Sequence, residues 1–70
     1  MGPFEIRLRA LFVKWRGYGR TYQIATHFDM NTSDARRHMK SLENRGVVRK
    51  SQFSAVNDTS WEFCDGTGQT

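Results

Sequence analysis

Six cationic side chains, Arg36, Arg37, Lys40, Arg45, Arg49 and Lys50, fall between positions 36 and 50, a stretch that holds a single carboxylate, Glu43. That window carries +5 in a chain of 70 residues whose formal charge is +4, so everything outside it is slightly acidic. Guanidinium forks pair bidentately with guanine O6/N7 or with phosphate, and lysine meets phosphate as a point charge. The chemistry such a cluster serves is recognition of a polyanion. Other chemistries lack their parts. His27, His38 and Cys64 show no metal-ligand spacing, so no metal and no cofactor is expected. No nucleophile, base and orienting acid can be assembled in a fold too small for a pocket, so no enzyme is expected.

The elements that position the cations can be read from periodicity. Phe4, Leu8, Leu11, Phe12 and Trp15 recur with a period near 3.6, which predicts an amphipathic first helix over residues 4 to 15. Pro3 suits its first turn, Glu5 its positive end, and Lys14 and Arg16 its negative end, with Gly17 as the stop. The segment 17–20 reads as a turn or a very short strand. A second, shorter helix follows Thr21, whose hydroxyl is expected to cap it; Ile24, Ala25 and Phe28 give it an apolar side, and it ends near Asp29.

Asn31 as N-cap, with Asp34 three residues on, resembles a capping box and starts a third helix at Thr32. Ala35, Met39 and Leu42 form its buried stripe, and Gly46 ends it after about Arg45. Beyond Gly46, Val47-Val48 and then Thr59 to Phe63 are β-branched and aromatic, which predicts two antiparallel strands joined within 53–58, with Asn57-Asp58 as the best turn. The fold class is therefore mainly α with a C-terminal β-hairpin, α+β: one domain over residues 1–64 and a disordered tail over 65–70.

Composition sets the compartment. One cysteine permits no intramolecular disulfide, and a lone thiol fits a reducing cytoplasm. No apolar run approaches the roughly 20 residues of a spanning helix, and the N-terminus lacks the apolar stretch of a signal peptide. Hydrophobic residues at 37%, with nine aromatics, mark a folded globule and not a disordered basic tail.

On the third helix, Ser33, Arg36, Arg37 and Lys40 point away from the Ala35–Met39–Leu42 stripe. Thr32 and Ser33 allow close approach of the helix start, Arg36 and Arg37 can reach base edges, and Lys40, Arg49 and Lys50 suit phosphates. The bland alternative for such a run is a solvated helix face. Arg49 and Lys50 alternate along a strand, so at most one faces a nucleic acid directly. Arg45 suits the helix dipole. Trp61 reads as core, closing the hairpin onto the first helix. Phe53 reads as an exposed aromatic at a hairpin tip or as part of a longer strand. Tyr22 suits either a phosphate contact or the core.

Helix, helix, tight turn, helix, hairpin is the order of a winged helix-turn-helix, here three helices plus a two-stranded wing. Residues 21 to 48 resemble that family of regulators on Ile24-Ala25, Met30 to Ser33, Ala35 to Met39, Leu42-Glu43 and Arg45 to Val48. A narrower likeness, on Thr21, Ile24-Ala25, Ala35-Arg36, Leu42-Glu43, Gly46, Val48, Ser51 and Trp61, is to the small regulators of fimbrial operons, of the Pap pilus type. Arg37-His38 stand where aromatics occur in that family, and the segment 52–57 lacks its arginines. The resemblance implies a bacterial or phage transcriptional regulator bound to double-stranded DNA in the cytoplasm, associated with the nucleoid. It also implies a larger global DNA-binding regulator or RNA polymerase as partner. With no extra helix for dimerisation, a monomer or weak dimer on DNA is expected, reading about one half-site per chain. The competing expectation is a winged helix used as a protein-interaction module, an adaptor or inhibitor whose contact patch is Tyr18, Tyr22 and Phe53.

Overall fold

The computed structural model describes residues 2–54 and 57–67. The chain runs α1 (Pro3–Lys14), β1 (Gly19–Arg20), α2 (Thr21–His27), α3 (Thr32–Asn44), β2 (Val48–Lys50) and β3 (Ser60–Phe63). Three helices and one small antiparallel sheet make an α+β fold. The strand order is β1-β3-β2, so the expected two-stranded hairpin gains a third strand. Gly19 pairs with Trp61 and Arg20 with Ser60. The reason is local. A Cβ on Gly19 would stand 2.6 Å from the Phe12 ring, so only glycine lets the chain pass this close to α1 and reach the free edge of β3.

All three helices stop in the same way. The residue after each C-cap adopts a positive φ: Arg16 at 62°, Asp29 at 55° and Gly46 at 76°. The next amide then donates back to the carbonyl five residues earlier, Gly17 to Phe12 at 2.7 Å, Met30 to Ala25 at 2.9 Å and Val47 to Leu42 at 2.9 Å. These are Schellman closures, and they satisfy carbonyls that the helix ends leave over. Gly17 was expected to be the stop of α1; the left-handed turn begins one residue earlier, at Arg16. Met30 and Val47, which follow two of these turns, pack against the core.

The core joins Leu8 and Phe12 of α1, Ile24 and Ala25 of α2, Ala35, Met39 and Leu42 of α3, and Val48, Trp61 and Phe63 of the sheet. Phe63 meets Phe12 edge-on at 5.0 Å, a favoured aromatic geometry. Trp61 is fully buried, and its indole N–H donates to Thr21 Oγ1 at 2.9 Å. The Trp61 side chain therefore hydrogen-bonds to the start of α2. Thr21 does not cap that helix: it is the first helical residue, Arg20 is the N-cap, and the Thr21 hydroxyl donates to the Thr59 carbonyl at 2.9 Å. The Tyr22 amide is met instead by the Asp58 carboxylate at 3.1 Å.

The β2–β3 connection is closed at its base by hydroxyls. Ser51 N–H donates to the Ser60 carbonyl at 2.7 Å. Ser54 Oγ accepts from Ser60 N–H and donates to the Ser51 carbonyl, both at 2.9 Å. Asn57 lies in a turn, and its neighbours 55–56 lie outside the described residues. The tail expected from residue 65 is tied down as far as Thr67, because Arg9 donates to the Asp65 carboxylate and to Thr67 Oγ1 while its guanidinium sits 4.5 Å from the Phe63 ring centroid. Residues 68–70 of that expected tail lie outside the described residues.

Candidate nucleic-acid interface

α3 begins at an Asn31 cap whose side chain accepts from the Asp34 amide at 2.8 Å. The reciprocal half of the expected capping box is replaced, because the Asp34 carboxylate faces Arg37 at 3.8 Å. From that start, a rotation of about 100° per residue divides the helix into three sides. Ala35, Met39 and Leu42 are buried. His38, Ser41 and Arg45 lie on the flank towards α1, where His38 stacks on Phe4 at 4.6 Å. Ser33, Arg36, Arg37 and Lys40 lie on the third side and are exposed, as is Thr32 beside them.

Among the described residues, Arg36 and Lys40 make no ion pair, and the pair of Arg37 with Asp34 is long and solvated. A salt bridge of that kind contributes little, so its guanidinium remains available. Asn44, also exposed, completes the stripe Ser33, Arg37, Lys40, Asn44. Its spacing of four, three and four residues is the signal in the sequence that places Asn44 with the cations.

The two cations of β2 are split as strand alternation requires. Arg49 pairs in register with Glu62, its Nε 3.4 Å from the carboxylate, on the sheet face turned away from the helices. Lys50 shares the face of Trp61 but is exposed, because β2 ends there. The α3 cations and Arg49 thus belong to opposite sides of the sheet. Arg45 is held by the buried Glu5 of α1 at 3.7 Å, an ion pair in addition to its place at the helix end.

The aromatics resolve in two ways. Tyr22 is 63% exposed, which corrects the core alternative; the Asp58 contact to its backbone leaves the side chain outside. Phe53 is 56% exposed and meets Tyr18 edge-on at 5.0 Å. It lies in the turn after β2, so it belongs to neither strand.

Among the described residues no group of three or more His, Cys, Asp or Glu could hold a metal ion, and no described helix is long and apolar enough to cross a membrane. Comparison with protein-family models, with curated proteins and with solved structures gives no significant match.

Proposed function

We propose that the chain is a sequence-specific double-stranded DNA-binding transcriptional regulator of winged helix-turn-helix type. α2 and α3 form the helix-turn-helix, α3 enters the major groove, and β2–β3 form a wing against the flanking backbone. The observation that carries this reading is the exposed side of α3. Thr32, Ser33, Arg36, Arg37 and Lys40 stand clear of the buried stripe, with two of the three cations unpaired among the described residues. Arg36 and Arg37 suit base edges, and Lys40 suits phosphate. In the wing, Lys50 is the freer cation, because Arg49 is engaged by Glu62.

A single helix-turn-helix reads about one half-site, so a weak dimer on DNA, a larger global DNA-binding regulator or RNA polymerase would supply further specificity. The proposed setting is the bacterial or phage cytoplasm, with fimbrial-operon control as the narrower form. Chemical-shift mapping with a random-sequence duplex tests the reading. Perturbations are expected at residues 32–44 and at Lys50; silence there would reject it.

The exposed Tyr18–Phe53 pair, with Tyr22 also exposed, favours a second reading: a winged-helix module that docks a protein partner through aromatics. In the same experiment it requires silence of α3 towards DNA and partner-dependent shifts at Tyr18, Tyr22 and Phe53.

A further inference from the structure

The side of α1 turned away from the core carries an apolar stripe. Ile6 and Val13 are 55% and 59% exposed, and Ala10 between them is exposed as well. At about 100° per residue the three fall within about 60° of arc, opposite the Leu8 and Phe12 that enter the core. A single exposed aliphatic residue is ordinary, but three aligned along one helix leave a continuous apolar surface in water.

Their spacing of four and three residues is the repeat of a coiled-coil seam. Ile6 and Val13 take equivalent d positions one heptad apart, and Ala10 takes the a position between them, where its small side chain lets a second helix approach. The e positions, which follow each d, are Arg7 and Lys14, and both are exposed. Neither makes an ion pair among the described residues; the Arg7 guanidinium lies over the Phe28 ring, 5.2 Å from its centroid. The other edge differs, because Arg9 at g is turned to Glu5 and Asp65. Glu5 is the one carboxylate of α1, and it is buried. The outer side of α1 therefore presents a seam with free positive charge along one edge and no negative charge of its own.

Charge selects the occupant. A second copy would bring the Arg7 and Lys14 of two helices together, and like charges beside a seam oppose pairing. A nucleic-acid backbone would meet the cations but offer nothing to Ile6 and Val13. A helix with an apolar seam flanked by carboxylates satisfies both.

We propose that the outer side of α1 docks an acidic amphipathic helix of a partner protein, its apolar seam on Ile6, Ala10 and Val13 and its carboxylates beside Arg7 and Lys14. α1 has 12 residues, about 18 Å of helix, so the contact is small and the association weak and reversible. The α3 cations take no part in it, so it stands or falls apart from the DNA-binding reading.

The test is a chemical-shift titration of the full chain, without DNA, using two synthetic peptides of about three heptads, with Ile at a, Leu at d and either Glu or Lys at e and g. The Glu peptide is expected to give saturable shifts at Ile6, Ala10 and Val13 with a dissociation constant on the order of 100 μM. The Lys peptide should bind about 10-fold more weakly. Ile6→Ser/Val13→Ser, at two exposed positions, should weaken the Glu peptide about 10-fold while the far-UV circular dichroism is unchanged. Arg7→Glu/Lys14→Glu should reverse the preference so that the Lys peptide binds more tightly, a result that loss of folding cannot produce. Equal binding of the two peptides, shifts confined to residues 32–44, or a preference unchanged in the charge-reversed variant would overturn the proposal. Concentration-dependent shifts at Ile6, Ala10 and Val13 in the chain alone would also overturn it, because the occupant would then be a second copy.

Discussion

The indole nitrogen of Trp61 donates to the hydroxyl of Thr21 at 2.9 Å, across 40 residues of sequence, and that hydroxyl donates onward to the Thr59 carbonyl. Both side chains are buried. The relay joins the central strand to the first turn of α2 and so sets where the proposed helix-turn-helix sits on the sheet. Thr21→Val keeps the shape but leaves the indole N–H without an acceptor. It should lower stability by about 1–3 kcal/mol, read by urea denaturation. An unchanged midpoint would show that the relay contributes nothing.

Arg16 and Asp29 carry left-handed φ values that glycine adopts without strain. A non-glycine residue there costs about 1 kcal/mol. Arg16→Gly and Asp29→Gly are each expected to raise stability by about 0.5–1 kcal/mol, partly offset by the greater freedom of glycine in the unfolded chain. Thermal melts of the two variants measure this directly.

Gly19 is needed for space and not for φ. The 2.6 Å approach of an added Cβ to Phe12 would force a buried ring out of place. Gly19→Ala should therefore cost about 1–3 kcal/mol and weaken the β1–β3 pairing, visible as faster amide exchange where β1 and β3 pair. A neutral effect would mean that Phe12 can retreat.

The Asp65 carboxyl titrates at about 2, against an ordinary 3.8, chiefly because the Thr67 hydroxyl donates to it and next because Arg9 does. A depressed folded-state pKa stabilises the fold above the unfolded value, and that contribution fades as the pH falls from about 4 toward 2. Because Asp65 is half-exposed, solvent screening keeps the effect small. A carboxyl-carbon titration should show the low midpoint in the native chain and a return toward 3.8 in Arg9→Met combined with Thr67→Val.

Helix periodicity made α3 legible almost to the residue, because its buried stripe, its Asn31 cap and its Gly46 stop all agree on one element. The outward placement of Arg36, Arg37 and Lys40 followed from the same 3.6-residue period. What was not legible depends on long-range partners. β1 is two residues long and exists because β3 offers it an edge. Asp58 caps α2 from 36 residues away, leaving Tyr22 outside, and Thr21 turns from a cap into the acceptor for Trp61. Arg49 looked equivalent to Lys50 until the register set it beside Glu62. The pairing of Arg45 with Glu5 and the stacking of His38 on Phe4 needed the contact of α1 with α3, which no local pattern announces.

The central claim, that the outer side of α3 binds duplex DNA, is tested most directly by the salt dependence of binding to a labelled duplex. Each neutralised phosphate contributes about 0.9 to the slope of log K against log salt. With the four cations left available, Arg36, Arg37, Lys40 and Lys50, each displacing a counterion from DNA, the slope should be about −4. In the variant Arg36→Ala/Arg37→Ala/Lys40→Ala it should shrink by roughly 3, while the melting temperature stays close to that of the parent because all three side chains are solvent-exposed. Arg36→Ala alone should relax preference at one base pair by about 1–3 kcal/mol. A binding curve flat in salt, or a slope unchanged in the triple variant, would contradict the claim.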